Sequence, residues 1–366
     1  MSIQIIMKYL LLIALFLCIS CSNTRSFRMG FSPWPYDATL EALDWVYTHL
    51  ANEGDIISQH MEEGVPWPEA YSGASFSVSF QNEIQSRKDR FVSGQKVLLQ
   101  INPLNNNRDS MALYRGDSIN MSLPSPWNTY ALDNQEVKTA FLNYAKRMKE
   151  FFNPDYMLIG VEINLLIRNN NNLWQQYVTL HRYVYTELKK LYPSLQLGVS
   201  VFCVPYFPEW SSSDNLQEQL NGLQDMTPYI DFLAFSVHPF MSGLLAESFP
   251  DDYFKRLFNL TTKPIAISES SYPAQVWQQI SSPFLIFHGS QGKQNHFLSL
   301  MLDESQKRRA LFVIWFCIRD YDALWNGLLG RDPASLTWRD TGLNDELGNE
   351  RLGLSTWKSW FSRQYT

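Results

Sequence analysis

Short apolar segments alternate with longer amphipathic segments from residue 27 to the C-terminus. The apolar segments have the length of buried strands, and the amphipathic segments repeat their apolar residues with helical spacing. Alternation of this kind is typical of βαβ units, in which helices cover a parallel sheet. The pattern therefore predicts an α/β protein.

Eight strands and eight helices fit this pattern. The predicted strands span residues 28–32, 55–60, 96–102, 156–163, 196–204, 232–238, 264–269 and 311–318. The predicted helices span residues 39–52, 76–90, 134–152, 173–191, 215–224, 251–259, 295–308 and 355–361. Eight alternating pairs favour a closed (β/α)₈ TIM barrel over an open sheet, so we expect one catalytic domain over residues 27–366. The segment 103–132, rich in Asn, Ser and Pro, should form a loop over one face.

Polar residues before three of these helices are the expected N-caps. Asp133 or Asn134 precedes the third helix and Asp214 precedes the fifth. Asp37 is expected to cap the first helix, although a place at the rim of a binding site is the alternative.

The first 21 residues have the features of an export signal. Lys8 precedes an apolar run at 9–19, which is too short to span a membrane. The segment 18–21 resembles a bacterial lipobox that ends at Cys21. We therefore expect an exported protein, processed either as a lipoprotein or by ordinary signal-peptidase cleavage, in the periplasm or at the outer membrane or cell surface if the host is bacterial.

The charge and the aromatic content narrow the class of ligand. The net charge is −6 without long runs of like charge, so nucleic acid is not expected, and membrane contact is expected only through an N-terminal anchor. Tryptophans occur in segments that resemble loops, where they could stack on sugar rings or simply anchor a barrel rim. These are Trp34, Trp67, Trp127, Trp210, Trp277 and Trp325. We expect a monomer that binds carbohydrate.

Two carboxylates end predicted strands. Glu162 follows the non-polar residues 157–161 in the fourth strand, and Glu269 ends the seventh. The active site of such a barrel lies at the C-terminal ends of its strands. Cleavage of a glycosidic bond needs one acid to protonate the departing oxygen and a second carboxylate to attack or to activate water. The pair therefore predicts a glycoside hydrolase, with Glu162 as acid/base and Glu269 as nucleophile.

At these residues the chain resembles the clan A glycoside hydrolases, and among them the endo-β-1,4-galactanases. The resemblance rests on Gly160-Val161-Glu162-Ile163 and on Glu269-Ser270-Ser271-Tyr272-Pro273, and it covers nearly the whole mature chain. It implies a TIM barrel that retains the anomeric configuration. Members of the group usually carry Asn before the acid/base, whereas this chain has Val161.

Several other residues are candidates for substrate binding. His60, Glu63 and Trp67 follow the second strand, and Trp34 follows the first. His238 ends the sixth strand and could equally be a structural histidine. Trp315 of the eighth strand resembles the aromatic platform of clan A, with Phe312, Ile314 and Phe316 expected to face the other way. Asn164 is the remaining candidate.

Other chemistries have little support in the sequence. The six His residues show no metal-binding spacing, so we expect neither a metal nor another cofactor. Arg319, Asp320 and Asp322 could be rim ligands, but an ion-paired turn is the preferred interpretation. Cys203 and Cys317 lie in apolar strands and should be core thiols. The rival functions are a non-catalytic glycan-binding lipoprotein, favoured by Val161, and a transglycosylase.

Overall fold

Eight parallel strands close into a barrel in the computed structural model, which describes residues 24–242, 249–279 and 285–366. The strands are β1 (Arg28–Phe31), β2 (Ile56–Met61), β3 (Lys96–Ile101), β4 (Tyr156–Leu158), β5 (Gln196–Phe202), β6 (Phe232–Val237), β7 (Ile265–Ser270) and β8 (Phe312–Trp315). Each strand pairs with the next, and β8 pairs with β1. The predicted TIM barrel is confirmed. The expected signal peptide and Cys21 lie outside the described residues.

The eight predicted helices are present, with ends that differ by a few residues. They are α1 (Leu40–Glu53), α3 (Val78–Lys88), α4 (Gln135–Phe152), α6 (Trp174–Leu191), α7 (Leu216–Met226), α8 (Tyr253–Phe258), α9 (Gln291–Arg308) and α12 (Leu352–Phe361). Short helices missed in the sequence are α2 (Trp67–Ser72), α5 (Leu165–Asn170), α10 (Asp322–Asn326) and α11 (Pro333–Arg339). Helices of this length show too few turns for an apolar repeat to be recognised.

Two of the three predicted caps were misplaced. Asn134 does cap α4, accepting a hydrogen bond from the amide of Glu136. However, α7 is capped by Asn215, whereas Asp214 pairs with Arg168. Similarly, Thr39 caps α1. A cap must accept from an amide two or three residues onward, and the Asp37 carboxylate instead accepts from its neighbour Ala38.

Two short pairings lie outside the barrel. Thr24–Arg25 pairs in parallel with Gln364–Tyr365, which joins the two ends of the described chain. Val276–Gln279 pairs antiparallel with Leu285–His288 after β7. No helix among the described residues is both long and apolar enough to cross a bilayer.

Strand side chains alternate between the barrel interior and the layer under the helices. The interior cluster comprises Ile56, Leu98, Leu158, Phe232, Ala234, Ala266, Phe312 and Ile314. Their neighbours along the strands, such as Ile57, Leu99 and Val313, pack in the larger cluster with the helices. Cys203 and Cys317 are buried free thiols, as expected. This alternation sets which residue of each strand end reaches the mouth of the barrel.

Barrel closure requires glycine at residue 30, where β1 and β2 approach closely. A Cβ atom on Gly30 would lie 1.8 Å from the carbonyl oxygen of Ile56 on the neighbouring strand. Since that oxygen belongs to the backbone of a paired strand, the clash cannot be relieved by a rotamer change.

We expect Gly30→Ala to lower the free energy of unfolding by more than about 2 kcal/mol, because the added methyl group must push the two strands apart. Urea unfolding followed by tryptophan fluorescence measures this. Gly292→Ala is the matched control, since its new Cβ meets only Ser290 Oγ at 3.9 Å. That variant should match or slightly exceed the wild type, because Ala is the better helix former. Equal stability of both variants would contradict the assignment.

Candidate active site

A bulge in β7 turns Glu269 toward the barrel mouth. Phe235 of β6 pairs with Ile267, but the next residue, Ser236, pairs with Glu269. Ser268 is therefore the extra residue, and without it Glu269 would share the outward direction of Ile265 and Ile267. The bulge brings Glu269 onto the face of Ser236, where its side chain is 16% exposed.

A second irregularity places Glu162. Regular β4 ends at Leu158, so the predicted strand 156–163 was too long. The amides of Ile159 and Ile163 still bond to Gly198 and Ser200 of β5, so the chain bulges between them. Glu162 lies in this bulge with φ 50°, which few non-glycine residues adopt. Its amide donates to Ser200 Oγ, 2.9 Å away, which holds the conformation.

The buried guanidinium of Arg108 lies between two carboxylates. Arg108 comes from the loop 103–132, with a side chain only 4% exposed. One terminal nitrogen lies 2.6 Å from Glu62 Oε1 and 3.3 Å from Glu162 Oε2. Its Nε donates to the carbonyl of Val161 at 3.0 Å. Ser236 Oγ donates to the other oxygen of Glu162 at 2.7 Å, so protein donors contact both oxygens of Glu162.

Glu62 and His60 form an ion pair at the end of β2. Glu62 Oε2 lies 2.7 Å from His60 Nε2, and Asn102 donates to Glu62 Oε1. Burial alone would raise the pKa of Glu62, but Arg108, His60 and Asn102 outweigh it and hold that pKa far below its usual value. Burial likewise would lower the pKa of His60, but Glu62 outweighs it, so this pKa is raised. The pair favours an imidazolium beside a carboxylate.

The predicted neighbour of Glu269 is in place. His238 Nε2 lies 3.6 Å from Glu269 Oε1, and the other ring nitrogen of His238, Nδ1, contacts Ser271 Oγ at 2.7 Å. Burial by itself would raise the pKa of Glu269, but His238 and His60 outweigh it, and the pKa is lowered. Trp338 of α11 packs edge-on against His238, with ring centroids 6.0 Å apart. Glu269 is therefore maintained as a carboxylate.

A cleft of about 590 Å³ opens beside this cluster. Its apolar wall comes from the loops after β1 and β8 and includes Pro33, Trp34, Pro35, Phe316, Leu324 and Leu329. The rings of Trp34 and Phe316 pack with centroids 5.5 Å apart. Its polar wall comes from the loop after β2, from α3 and from Asn106, and includes His60, Glu62, Glu63, Glu83 and Arg87. The predicted residues Trp34, His60 and Glu63 thus line this cleft, which is linked to the predicted catalytic pair through Glu62 and Arg108 rather than lined by Glu162 or Glu269.

The structure places three other predicted site residues in the core. Trp67 is fully buried, and its indole donates to the carbonyl of Ala112. Trp315 is equally buried and donates to Thr341, because β8 directs Phe312 and Ile314 inward. The inward residue at the mouth is therefore Phe316, the opposite of the prediction.

Asn164 has a structural role as well. It is 2% exposed, donates to the carbonyl of Phe202 and to Gln219, and accepts from the amide of Phe202. All these groups are buried protein atoms, so the amide of Asn164 is used within the fold. Substrate binding by Trp67, Trp315 and Asn164 would require side chains that reach the cleft, and these do not.

Residues missed in the sequence include Glu62, Ser236 and Arg108. The alternation along β2, with Ile56 inward, would have identified Glu62 rather than only Glu63. Ser236 alternates with Phe232 and Ala234 on the face of β6 that points into the barrel, so the same alternation would have identified it. The sequence around Arg108 does not indicate a place in the site, since it shows only a cation in a loop rich in Asn.

The two aspartates of the turn after β8 are ion-paired, as the sequence suggested, but with residues outside the turn, and Arg319 instead donates to the carbonyl of Glu346. Asp320 accepts two hydrogen bonds from Arg351, and Asp322 lies 3.4 Å from Arg339. Asp340 also pairs with Arg339, at 2.8 Å. Oxygen atoms of the three aspartates lie within 4.8 Å of one another, close enough to hold a metal ion. Arg351 and Arg339 already pair with all three carboxylates, which accounts for this group as a structural network.

Solved structures resemble this chain, although no protein-family model and no curated protein matches it. The GH53 catalytic domain of Ignisphaera aggregans is 16% identical, with a TM-score of 0.57 over 93% of this chain and 97% of that one. A GH5_18 protein of Streptomyces cattleya in complex with Manb1-4GlcNAc is 12% identical, with a TM-score of 0.63 over 92% and 82%. A fungal beta-1,4-galactanase is 14% identical, with a TM-score of 0.53 over 92% and 94%. The resemblance to clan A glycoside hydrolases is confirmed at the level of the fold.

We expect Asn164→Ala to lower the free energy of unfolding by at least about 2 kcal/mol, because buried groups of Phe202 and Gln219 lose their partner. Urea unfolding tests this. Asn169→Ala is the control, since the Asn169 amide is bonded only at the surface, and its change should stay within about 0.5 kcal/mol. If Asn164→Ala kept full stability but lost carbohydrate affinity, Asn164 would be a substrate ligand after all.

Proposed function

We propose that this protein is a retaining glycoside hydrolase in which Glu162 is the acid/base and Glu269 the nucleophile. The observation that carries the proposal is the convergence of these two glutamates, each turned by a bulge, around Arg108 at the mouth of the barrel. A carboxylate pair at the ends of β4 and β7 matches the requirement for acid-assisted cleavage of an acetal. The glycosidases of similar fold support it.

The proposed reaction assigns one step to each group. Glu269 attacks the anomeric carbon as a carboxylate while Glu162 gives its proton to the departing oxygen, which breaks the glycosidic bond. Glu162 then takes a proton from water, and the resulting hydroxide displaces Glu269 from the covalent intermediate. The lowered pKa of Glu269 suits the nucleophile, since only its ionised form attacks. His238 and Ser271 keep that carboxylate oriented.

The two walls of the cleft suit a sugar. A pyranose ring has an apolar C–H face that can pack on Trp34 and Phe316, and hydroxyl groups at its edge that can bond to the polar wall. We further propose that the protein is exported, with Cys21 as its lipid anchor, on the basis of the N-terminal sequence alone.

A second candidate function is glycan binding without cleavage. The observation that favours it is that both oxygens of Glu162 accept hydrogen bonds from Ser236 and Arg108, whereas an acid must donate its proton. In addition, Val161 is 2% exposed and offers no side-chain contact to a sugar. Saturable binding of oligosaccharides without new reducing ends over long incubation would favour this function.

We expect Glu162→Gln to lower kcat about 10²–10⁴-fold on whichever substrate of a polysaccharide panel the wild type cleaves, because the acid/base is lost. Glu269→Gln should lower kcat by at least the same factor, because no covalent intermediate can form. New reducing ends measure both rates, and proton NMR of the first product should show retained configuration. Glu41→Gln, on the exposed first turn of α1, is the control and should keep full activity. Full activity of either active-site variant would refute the assignment.

The low pKa of Glu269 predicts a pH effect. Activity should fall as the pH drops through this pKa, because protonation removes the nucleophile. We expect His238→Gln to shift that acidic limb of the kcat/KM profile to higher pH, since the main group that lowers the pKa is lost. His296→Gln, a change in a half-exposed histidine paired with Asp251, should leave the limb in place. An unmoved limb in His238→Gln would show that His238 does not tune Glu269.

A further inference from the structure

The polar wall of the cleft presents one unpaired acceptor. Glu63 makes neither an ion pair nor a side-chain hydrogen bond among the described residues, although it lines the cleft. Burial and the nearby Glu83 raise its pKa, against the opposing effect of Arg87, Arg115 and His60. A partly buried carboxylate without a protein partner depends on water or a ligand to supply a donor, and Glu63 is open to both in the cleft.

The same wall presents an unpaired donor. His60 Nε2 is held by Glu62, and the side chain remains 26% exposed in the cleft. The other ring nitrogen, Nδ1, has no hydrogen-bond partner in the parts of the chain that the structure describes. Because Glu62 favours the protonated imidazole, both ring nitrogens carry protons, and Nδ1 can donate to a ligand oxygen.

The charges of this wall are close to balance. Glu83 is paired with Arg87 at 2.9 Å and with Arg115 at 2.8 Å. Glu62 is paired with His60 and with Arg108. An added carboxylate would be repelled by the unpaired Glu63, whereas an added ammonium group would be drawn to that same charge while His60 and Arg87 oppose it. Hydroxyl groups can bond to both kinds of residue without adding charge.

We infer that this cleft binds an uncharged sugar residue, with His60 donating a hydrogen bond and Glu63 accepting one while Trp34 and Phe316 pack on the ring, and that it discriminates against acidic sugars. The inference rests on the proposed function only in taking the ligand to be a carbohydrate. Glu63 is the residue that sets the discrimination against acids, because its charge is the one without a partner.

The test is direct binding to the Glu269→Gln variant, in which turnover cannot deplete the ligand. The probes are β-1,4-galactobiose, β-1,4-mannobiose and cellobiose, each with its C6-carboxylate analogue. Isothermal titration calorimetry gives Kd. The indole N–H resonance of Trp34, a donor without a partner among the described residues, reports whether the ligand enters the cleft. At least one neutral disaccharide should bind about tenfold or more tightly than its C6-carboxylate analogue.

Adding Glu63→Gln to the Glu269→Gln protein should lower the ratio of the Kd for the acidic disaccharide to the Kd for the neutral one at least about tenfold, because the repelling charge is gone. Glu41→Gln removes the same charge outside the cleft and should leave the preference unchanged. Four outcomes would overturn the inference. They are an unchanged preference in Glu63→Gln, tighter binding of an acidic analogue to the Glu269→Gln protein, an unshifted Trp34 resonance, and no binding of any probe. Selective binding in a wild type that forms no new reducing ends would instead refute the proposed hydrolysis and leave the inference standing.

Discussion

The charge of one buried cation allows three carboxylates to meet at the mouth of this barrel. Arg108 contacts Glu62 and Glu162 directly, and its charge also interacts with that of Glu269. Burying a carboxylate without a partner is costly, and burying three together would add mutual repulsion. A guanidinium has donors enough to bond two carboxylates and a backbone carbonyl at once, which lysine does not offer in a planar arrangement. Loss of Arg108 would therefore disturb every carboxylate of the site.

The two proposed catalytic glutamates reach the mouth through local departures from strand geometry. An extra residue in β7 reverses the direction of Glu269, and the bulge after β4 holds Glu162 at a positive φ. Serines on neighbouring strands hold Glu162 in place: Ser200 Oγ accepts from its amide, and Ser236, the register partner of Glu269, donates to the Glu162 carboxylate. The positive φ of Glu162 is backbone strain in a non-glycine residue, and strain of this kind concentrates at functional sites.

The periodic part of the structure could be predicted from the sequence, and the contacts between distant loops could not. All eight barrel strands and the eight predicted helices follow from apolar spacing, which also placed Glu162 and Glu269 at strand ends but missed the four short helices. Alternation was available for β8 as well, but the choice between its two faces depends on which residues enter the barrel. Phe312 and Ile314 do, so Phe316 reaches the cleft while Trp315 faces α9. The spacing of apolar residues alone does not determine which face of β8 points into the barrel.

Arg108 and Trp67 show the other limit. Their positions depend on how the long loop 103–132 folds back: Arg108 reaches the strand ends, and Ala112 of the same loop accepts from the indole of Trp67. Contacts of this kind join residues far apart in sequence, and no local pattern encodes them.

The residue before the proposed acid/base is held through its backbone. Arg108 and Asn102 both donate to the carbonyl of Val161, and the side chain of that residue is buried. In clan A proteins an asparagine at this position would use its side chain on the sugar, whereas here the position serves to anchor the bulge through its backbone. If this protein recognises a sugar, the contacts must come from residues other than Val161. The polar wall containing His60 and Glu63 lies next to Glu62, which shares Arg108 with Glu162, so recognition in the cleft and the geometry of the proposed acid/base depend on the same cation.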